Sequence, residues 1–138
     1  MLSTKQKGDI TEIECMLALK KRGFIVSMPY GEDTPYDLIV DVNGSLFRIQ
    51  CKTSRVDSEG TFVINCRSNS RTIQDKGYKG SIDYFMTIFN GKAYLIPVEE
   101  CGSTTKTLHL EKPSNNQSSF VCYAKNYELE NIFMINKG

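Results

Sequence analysis

Asn43-Gly44, set between two runs of alternating apolar residues in "YDLIVDVNGSLFRIQCK" (36–52), constrains this chain more than any other feature. Such a dipeptide suits the two-residue type I′ turn, whose central positions both need positive φ. Granting the turn sets the pairing: Val42 lies opposite Ser45, Asp41 opposite Leu46, and the ladder runs on to Asp37 opposite Gln50. Side chains alternate between the faces of a strand, so Asp37, Gln50 and Lys52 share one face. Leu38, Val40, Val42, Phe47, Ile49 and Cys51 share the other. The hairpin therefore has an apolar face that must be covered and a polar open end. Directly opposed Cβ atoms lie about 4.5–5.5 Å apart and diagonal ones about 7–8 Å, within reach of a lysine.

Around this hairpin the pattern predicts further elements. Residues 9–22, "DITEIECMLALKKR", form a helix in which Ile10, Ile13 and Leu17 make the apolar stripe and Met16 and Leu19 widen it. Asp9 or Thr11 serves as its cap, Lys20, Lys21 and Arg22 favour its negative end, and Gly23 stops it. "FIVSM" (24–28) reads as a short buried strand, "GEDTP" (31–35) as a turn and "TFVINC" (61–66) as a strand. "DYFMTIF" and "KAYLIPV" flank Asn90-Gly91, a second hairpin with the same turn chemistry. Near the end come a strand around 120–123 and a short helix or turn around 125–131, after a polar surface loop at 113–119.

A chain of 138 residues suits one domain, 1–138, large enough to bury roughly two-thirds of its unfolded surface. Its 40% hydrophobic and 24% charged content is that of a soluble globular protein. No apolar run is long enough to span a bilayer and the N-terminus lacks a signal-peptide pattern, so the expected location is the cytoplasm, with no membrane partner. Five cysteines without a C-x-x-C spacing, beside the lone His109, exclude a credible zinc set and read as reduced core or strand thiols. Net charge is only +1, but its distribution is uneven. Residues 23–47 carry four acids and no base, and residues 48–79 carry seven bases against three acids. A metal site beside a phosphate-binding surface has that layout, and so do many chance sequences.

The open end of the hairpin offers hard oxygen donors without thiol or imidazole. The carboxylate of Asp37, the amide oxygen of Gln50 and the backbone carbonyl of Cys51 can hold a hard divalent cation such as Mg²⁺, with water and substrate phosphate completing its shell. Lys52 can orient or deprotonate an attacking water, or offset charge building on phosphate oxygens.

Together, "KGDITEIECMLALKKRGFIVSMPYGEDTPYDLIVDVNGSLFRIQCKTS" resembles the PD-(D/E)XK nuclease superfamily, closest to the small endonucleases of group I introns and more distantly Holliday-junction resolvases. The shared order is a helix with an embedded Glu, a Gly, a short strand, then a hairpin bearing Asp and x-x-Lys. It continues through "IDYFMTIFNGKAYLIPVEE" and faintly to "YAKNYEL". The resemblance implies an α/β fold of restriction-endonuclease-like architecture, a mixed central β-sheet flanked by helices, with an N-terminal helix and a catalytic β-hairpin. It implies hydrolysis of DNA phosphodiesters with Mg²⁺, Mn²⁺ substituting, and 5′-phosphate products. Asp37 matches the metal acid, Gln50 the second acid position, Lys52 the motif lysine and Glu12 the helix glutamate that joins the metal or its water. Two departures stand out. Tyr36 separates Pro35 from Asp37, and neutral Gln50 replaces an acid, which lowers metal affinity unless Glu12 compensates.

Simpler readings stand beside these. Asp9-x-x-Glu12 and Thr11-x-x-Glu14 both fit a capping box. Asp37 and Gln50 can bond each other across the strands, Lys52 can guard an edge, and Asp41 reads as a solvated charge. Arg67, Arg71, Lys76 and Lys79 suit a DNA-backbone surface or an ordinary solvated loop, with Tyr78 stacking on a base or packing. Ser54 is placed to touch a phosphate, and His109 is expected at the surface. Cutting both strands needs two sites, which a small domain supplies as a homo-oligomer, a dimer or tetramer. The expected function is an intron-homing DNA endonuclease. The alternatives are a junction resolvase and a catalytically inactive DNA-binding protein of the same fold.

Overall fold

The structure, a computed structural model, describes residues 1–67, 78–111 and 121–134. Helix α1 spans Thr4–Lys21. It begins earlier than Asp9 or Thr11 because Ser3 closes a capping box: its Oγ accepts from the Gln6 amide at 3.1 Å, and its own amide donates to Gln6 Oε1 at 2.8 Å. Thr11 is an interior residue whose hydroxyl donates to the Lys7 carbonyl. Gly23, at φ +84°, ends the helix as expected. The expected stripe is wrong, however. Thr11, Cys15 and Leu19 are buried, whereas Ile10, Ile13 and Leu17 face outward. Apolar residues line two sides of this helix, and periodicity alone cannot say which side meets the sheet.

Among the described residues eight strands follow: β1 (Ile25–Ser27), β2 (Leu38–Val42), β3 (Ser45–Cys51), β4 (Arg55–Val56), β5 (Thr61–Asn65), β6 (Tyr84–Phe89), β7 (Lys92–Pro97) and β8 (Thr105–His109). Helix α2, a single turn at Leu129–Ile132, follows a 3-10 turn at Ala124–Tyr127. Strand β1 is not buried. It is an edge strand with Ile25 exposed and Val26 half-buried, because only one of its faces has a layer to pack on. The first hairpin has the expected register, Leu38 opposite Ile49 through Val42 opposite Ser45. Asn43 and Gly44 adopt φ of 53° and 93°, and Asp41, half-buried, accepts the Gly44 amide at 2.7 Å, capping the turn. Asn90 and Gly91 repeat the turn between β6 and β7.

A five-stranded sheet runs in the order β1-β2-β3-β6-β7, and a three-stranded one in the order β4-β5-β8. The large sheet is mixed: β3 and β6 are parallel, the other pairs antiparallel. Its first face packs on α1 and α2 through Cys15, Leu19, Leu38, Val40, Ile49, Met86, Leu95, Leu129 and Phe133. On its second face, Phe85, Tyr94 and Ile96 meet Phe62, Ile64 and Leu108 of the small sheet. The alternation anticipated for β2 and β3 thus decides which residues meet the helix. The small sheet was not anticipated beyond β5, because its partner β8 lies far along the chain and pairs only once the fold is made. Among the described residues no helix is long and apolar enough to cross a membrane. The loop expected at 113–119 lies outside the described residues.

Candidate active site

The open end of the first hairpin meets α1 at the rim of the large sheet. Asp37 directly precedes β2, and its amide donates to the Ile49 carbonyl at 2.8 Å, one residue out of the register that runs from Leu38–Ile49 to Val42–Ser45, so the expected Asp37–Gln50 pair lies just beyond the ladder. Its Oδ2 accepts the Cys51 amide at 2.8 Å, which orients the carboxylate across the strand ends. Burial pushes the Asp37 carboxyl above its ordinary pKa, against the Cys51 hydrogen bond and the charge of Lys52, which both lower it.

Glu12 projects half-buried from α1 towards the same region. Its carboxyl is also raised, by burial first and then by the charges of Asp37 and Asp9. The helix is held at this level by a 2.9 Å contact between the hydroxyls of Thr11 and Thr53. Thr11 has one hydroxyl proton, directed at the Lys7 carbonyl, so Thr53 donates here. This tie joins the residue before Glu12 to the residue after Lys52. It was not legible in the sequence, where Thr11 looked like a cap.

Lys52 extends β3 pairing, its amide donating to the Met86 carbonyl at 2.8 Å. Its ammonium donates to the Arg67 carbonyl at 2.8 Å and lies 5.2 Å from the Tyr78 ring centroid and 6.0 Å from that of Phe85. Burial lowers its pKa, while the charges of Cys66 and Asp37 hold it up. Tyr78, itself buried, stands edge-on to Phe85 with centroids 5.1 Å apart, so it packs rather than presenting its ring to solvent. Gln50 is half-buried opposite Phe85, on the same face as Lys52. The structure thus gathers Glu12, Asp37, Gln50 and Lys52 at one rim.

The sequence model of the PD-(D/E)XK endonuclease family matches residues 2–130. The chain belongs to this family. Its fold is similar to a bacterial homing endonuclease, I-Ssp6803I, at 26% identity and TM-score 0.69, covering 100% of this chain and 95% of that one. It is also similar to a Holliday junction resolvase, Hjc from Archaeoglobus fulgidus, at 13% identity and TM-score 0.56, over 96% of this chain and 99% of that one, which shows the fold alone. Among curated protein sequences none matches it.

This PD-(D/E)XK endonuclease supplies a spare donor set for a cation. Among the described residues no three His, Cys, Asp or Glu side chains gather as a metal cluster. The rim has instead two carboxylates, Glu12 and Asp37, both raised by burial and Glu12 further by the charge of Asp37, with an amide oxygen beside them. Two adjacent anions short of water fit a hard divalent ion, which takes one or two carboxylates and keeps positions for water and phosphate.

The other expected residues divide. Ser54 Oγ donates to the Ile88 carbonyl at 2.7 Å, so its proton is used inside the fold while its lone pairs stay available. Arg67 and Lys79 are exposed on the Lys52 side, and Arg71 and Lys76 lie outside the described residues. His109 is half-buried in β8 rather than at the surface, because β5 pairs alongside it. All five cysteines are free thiols. Cys51 meets Cys15 across the α1–sheet packing, and Cys66 meets Cys101 beneath the small sheet.

Proposed function

We propose that this endonuclease hydrolyses DNA phosphodiesters with a bound Mg²⁺, Mn²⁺ substituting, in the manner of a homing enzyme. The observation that carries the reading is the confrontation of Glu12 and Asp37, two desolvated carboxylates with Lys52 beside them. Asp37, Gln50 and the Cys51 carbonyl hold the metal, and Glu12 joins it directly or through water. The bound metal supplies Lewis acidity and lowers the pKa of water.

The chain's own groups do the rest. The Cys51 amide holds the Asp37 carboxylate to one orientation. Gln50 contributes an uncharged oxygen, so the acid on α1 provides the second negative charge. Lys52 is pre-positioned by the Arg67 carbonyl and the Tyr78 ring to orient the attacking water and to meet charge on the phosphate. Its lowered pKa brings the neutral amine closer to the working pH, which suits proton transfer from water. Arg67, Arg71, Lys76, Lys79 and Ser54 contact the DNA backbone, and two copies in a homo-oligomer cut the two strands.

The test is cleavage of supercoiled plasmid and of a synthetic four-way junction, each with Mg²⁺, Mn²⁺ or EDTA, by wild type and Lys52→Ala. Metal-dependent cutting of duplex that the mutant loses is expected. Preference for the junction would move the function to a resolvase. Absence of cutting together with absence of Mg²⁺ and Mn²⁺ binding by calorimetry would leave a scaffold that only binds DNA.

A further inference from the structure

Helix α1 has a second apolar stripe. Opposite the buried trio Thr11, Cys15 and Leu19, the side chains of Ile10, Ile13 and Leu17 are 41%, 59% and 50% exposed. Their spacing of three and four residues puts them on one side of the helix, and at 3.6 residues per turn that side points directly away from the sheet. Scattered exposed apolar residues are ordinary, but a stripe continuous over about two turns marks a surface that another surface covers.

The charges beside the stripe identify what covers it. Asp9 and Lys20 are exposed on the same flank, about three turns apart. Consider a second copy related by a two-fold axis crossing the helix at the level of Cys15. The helices then lie antiparallel, Ile13 of each copy meets Leu17 of the other, and Asp9 of each meets Lys20 of the other. In a parallel two-fold pair the flanks that carry Asp9 and Lys20 fall on opposite sides of the seam, so these charges do not meet. The stripe is therefore self-complementary in one arrangement only, as an isologous interface requires. We propose that the outer face of α1 is a two-fold interface between copies of this chain. This rests on the homo-oligomer reading above but not on the chemistry of the site. Because one helix pair lies at the small end of the roughly 1,200–2,000 Å² that stable interfaces bury, assembly through it is concentration-dependent.

Sedimentation velocity over a concentration series tests this, with wild type, Ile13→Lys, Asp9→Lys and Asp9→Lys/Lys20→Glu. Circular dichroism checks that the helix survives these exposed changes. Wild type is expected to assemble as concentration rises, and the mass at saturation to halve in Ile13→Lys. Asp9→Lys should weaken association about fivefold, two exposed ion pairs being lost, and the double variant should restore it. A wild type monomeric at every concentration, or an assembly that Ile13→Lys leaves intact, overturns the proposal. Association lost in Ile13→Lys but not recovered by the charge exchange overturns the antiparallel arrangement. Plasmid cleavage is read separately: Ile13→Lys should nick where wild type linearises. A wild type without any cleavage would count against the function proposed above while sedimentation still decides the interface.

Discussion

Burial raises the pKa of both Asp37 and Glu12, and the charge of Asp37 raises that of Glu12 further. Linkage then has a definite sign for Asp37. A carboxyl whose folded pKa exceeds its unfolded one destabilises the fold above the folded pKa, and the penalty vanishes as pH falls through that value to the ordinary carboxylate range. Asp37→Asn keeps an oxygen for the Cys51 amide but removes the charge. In metal-free protein its melting temperature should therefore exceed that of wild type at neutral pH, with the gap closing on acidification. A gap that widens as pH falls would contradict this account. Adding Mg²⁺ should stabilise wild type and leave Asp37→Asn unmoved. Lys52→Ala should keep the fold and lose about 10²–10⁴-fold in cleavage rate, the usual range for a general acid or base. The three residues on the hairpin were legible because an Asn-Gly turn dictates which side chains share a face. Glu12 required a family resemblance, since a helix residue's distance to a strand depends on packing. The supports of Lys52 were less legible. A backbone carbonyl leaves no trace in the sequence, and Tyr78 looked equally like a base-stacking ring.

Helix α1 and the first hairpin owe their positions to local chemistry that can be removed piece by piece. Ser3→Ala deletes half of the capping box and should cost about 1 kcal/mol, seen as a lower urea midpoint with an unchanged slope. No loss of stability would mean that the first turn is frayed in solution. Gly44→Ala places a Cβ at φ +93°, where L-residues are strained, and should cost about 1 kcal/mol or more. Hairpin register was readable because turn type and alternation are short-range. The face of α1 was not, because the helix has two apolar sides and only the sheet chooses between them. Strand β1 was misjudged for a related reason: the apolar residues of "FIVSM" look buried until the order of the strands places them at an edge. The small sheet needed a long-range pairing, Phe62 with Leu108, that no window of sequence contains.

Across the whole molecule, a cluster of rings joins the beginning of the fold to its end. Phe133 stacks on Phe47 at 5.4 Å and meets Phe24 and Tyr84 edge-on at 5.6 Å each. Phe133→Ala should remove about 3–5 kcal/mol of stability, measured by urea unfolding, and a loss below about 1 kcal/mol would show that the ring is dispensable. Arg22 at the end of α1 pairs with Glu130 of α2, a separation of 108 residues. The helical face of the large sheet is thus completed by some of the last residues described. During synthesis, Phe47, Met86 and Leu95 wait without their cover until residues 129–133 leave the ribosome. A nascent chain stalled or clipped before that point carries a sticky, half-roofed sheet, which is the kind of surface that chaperones hold and proteases remove. The closing turn of helix thus roofs the sheet face that Leu38, Val40 and Ile49 help to form, and a chain without it carries that face open.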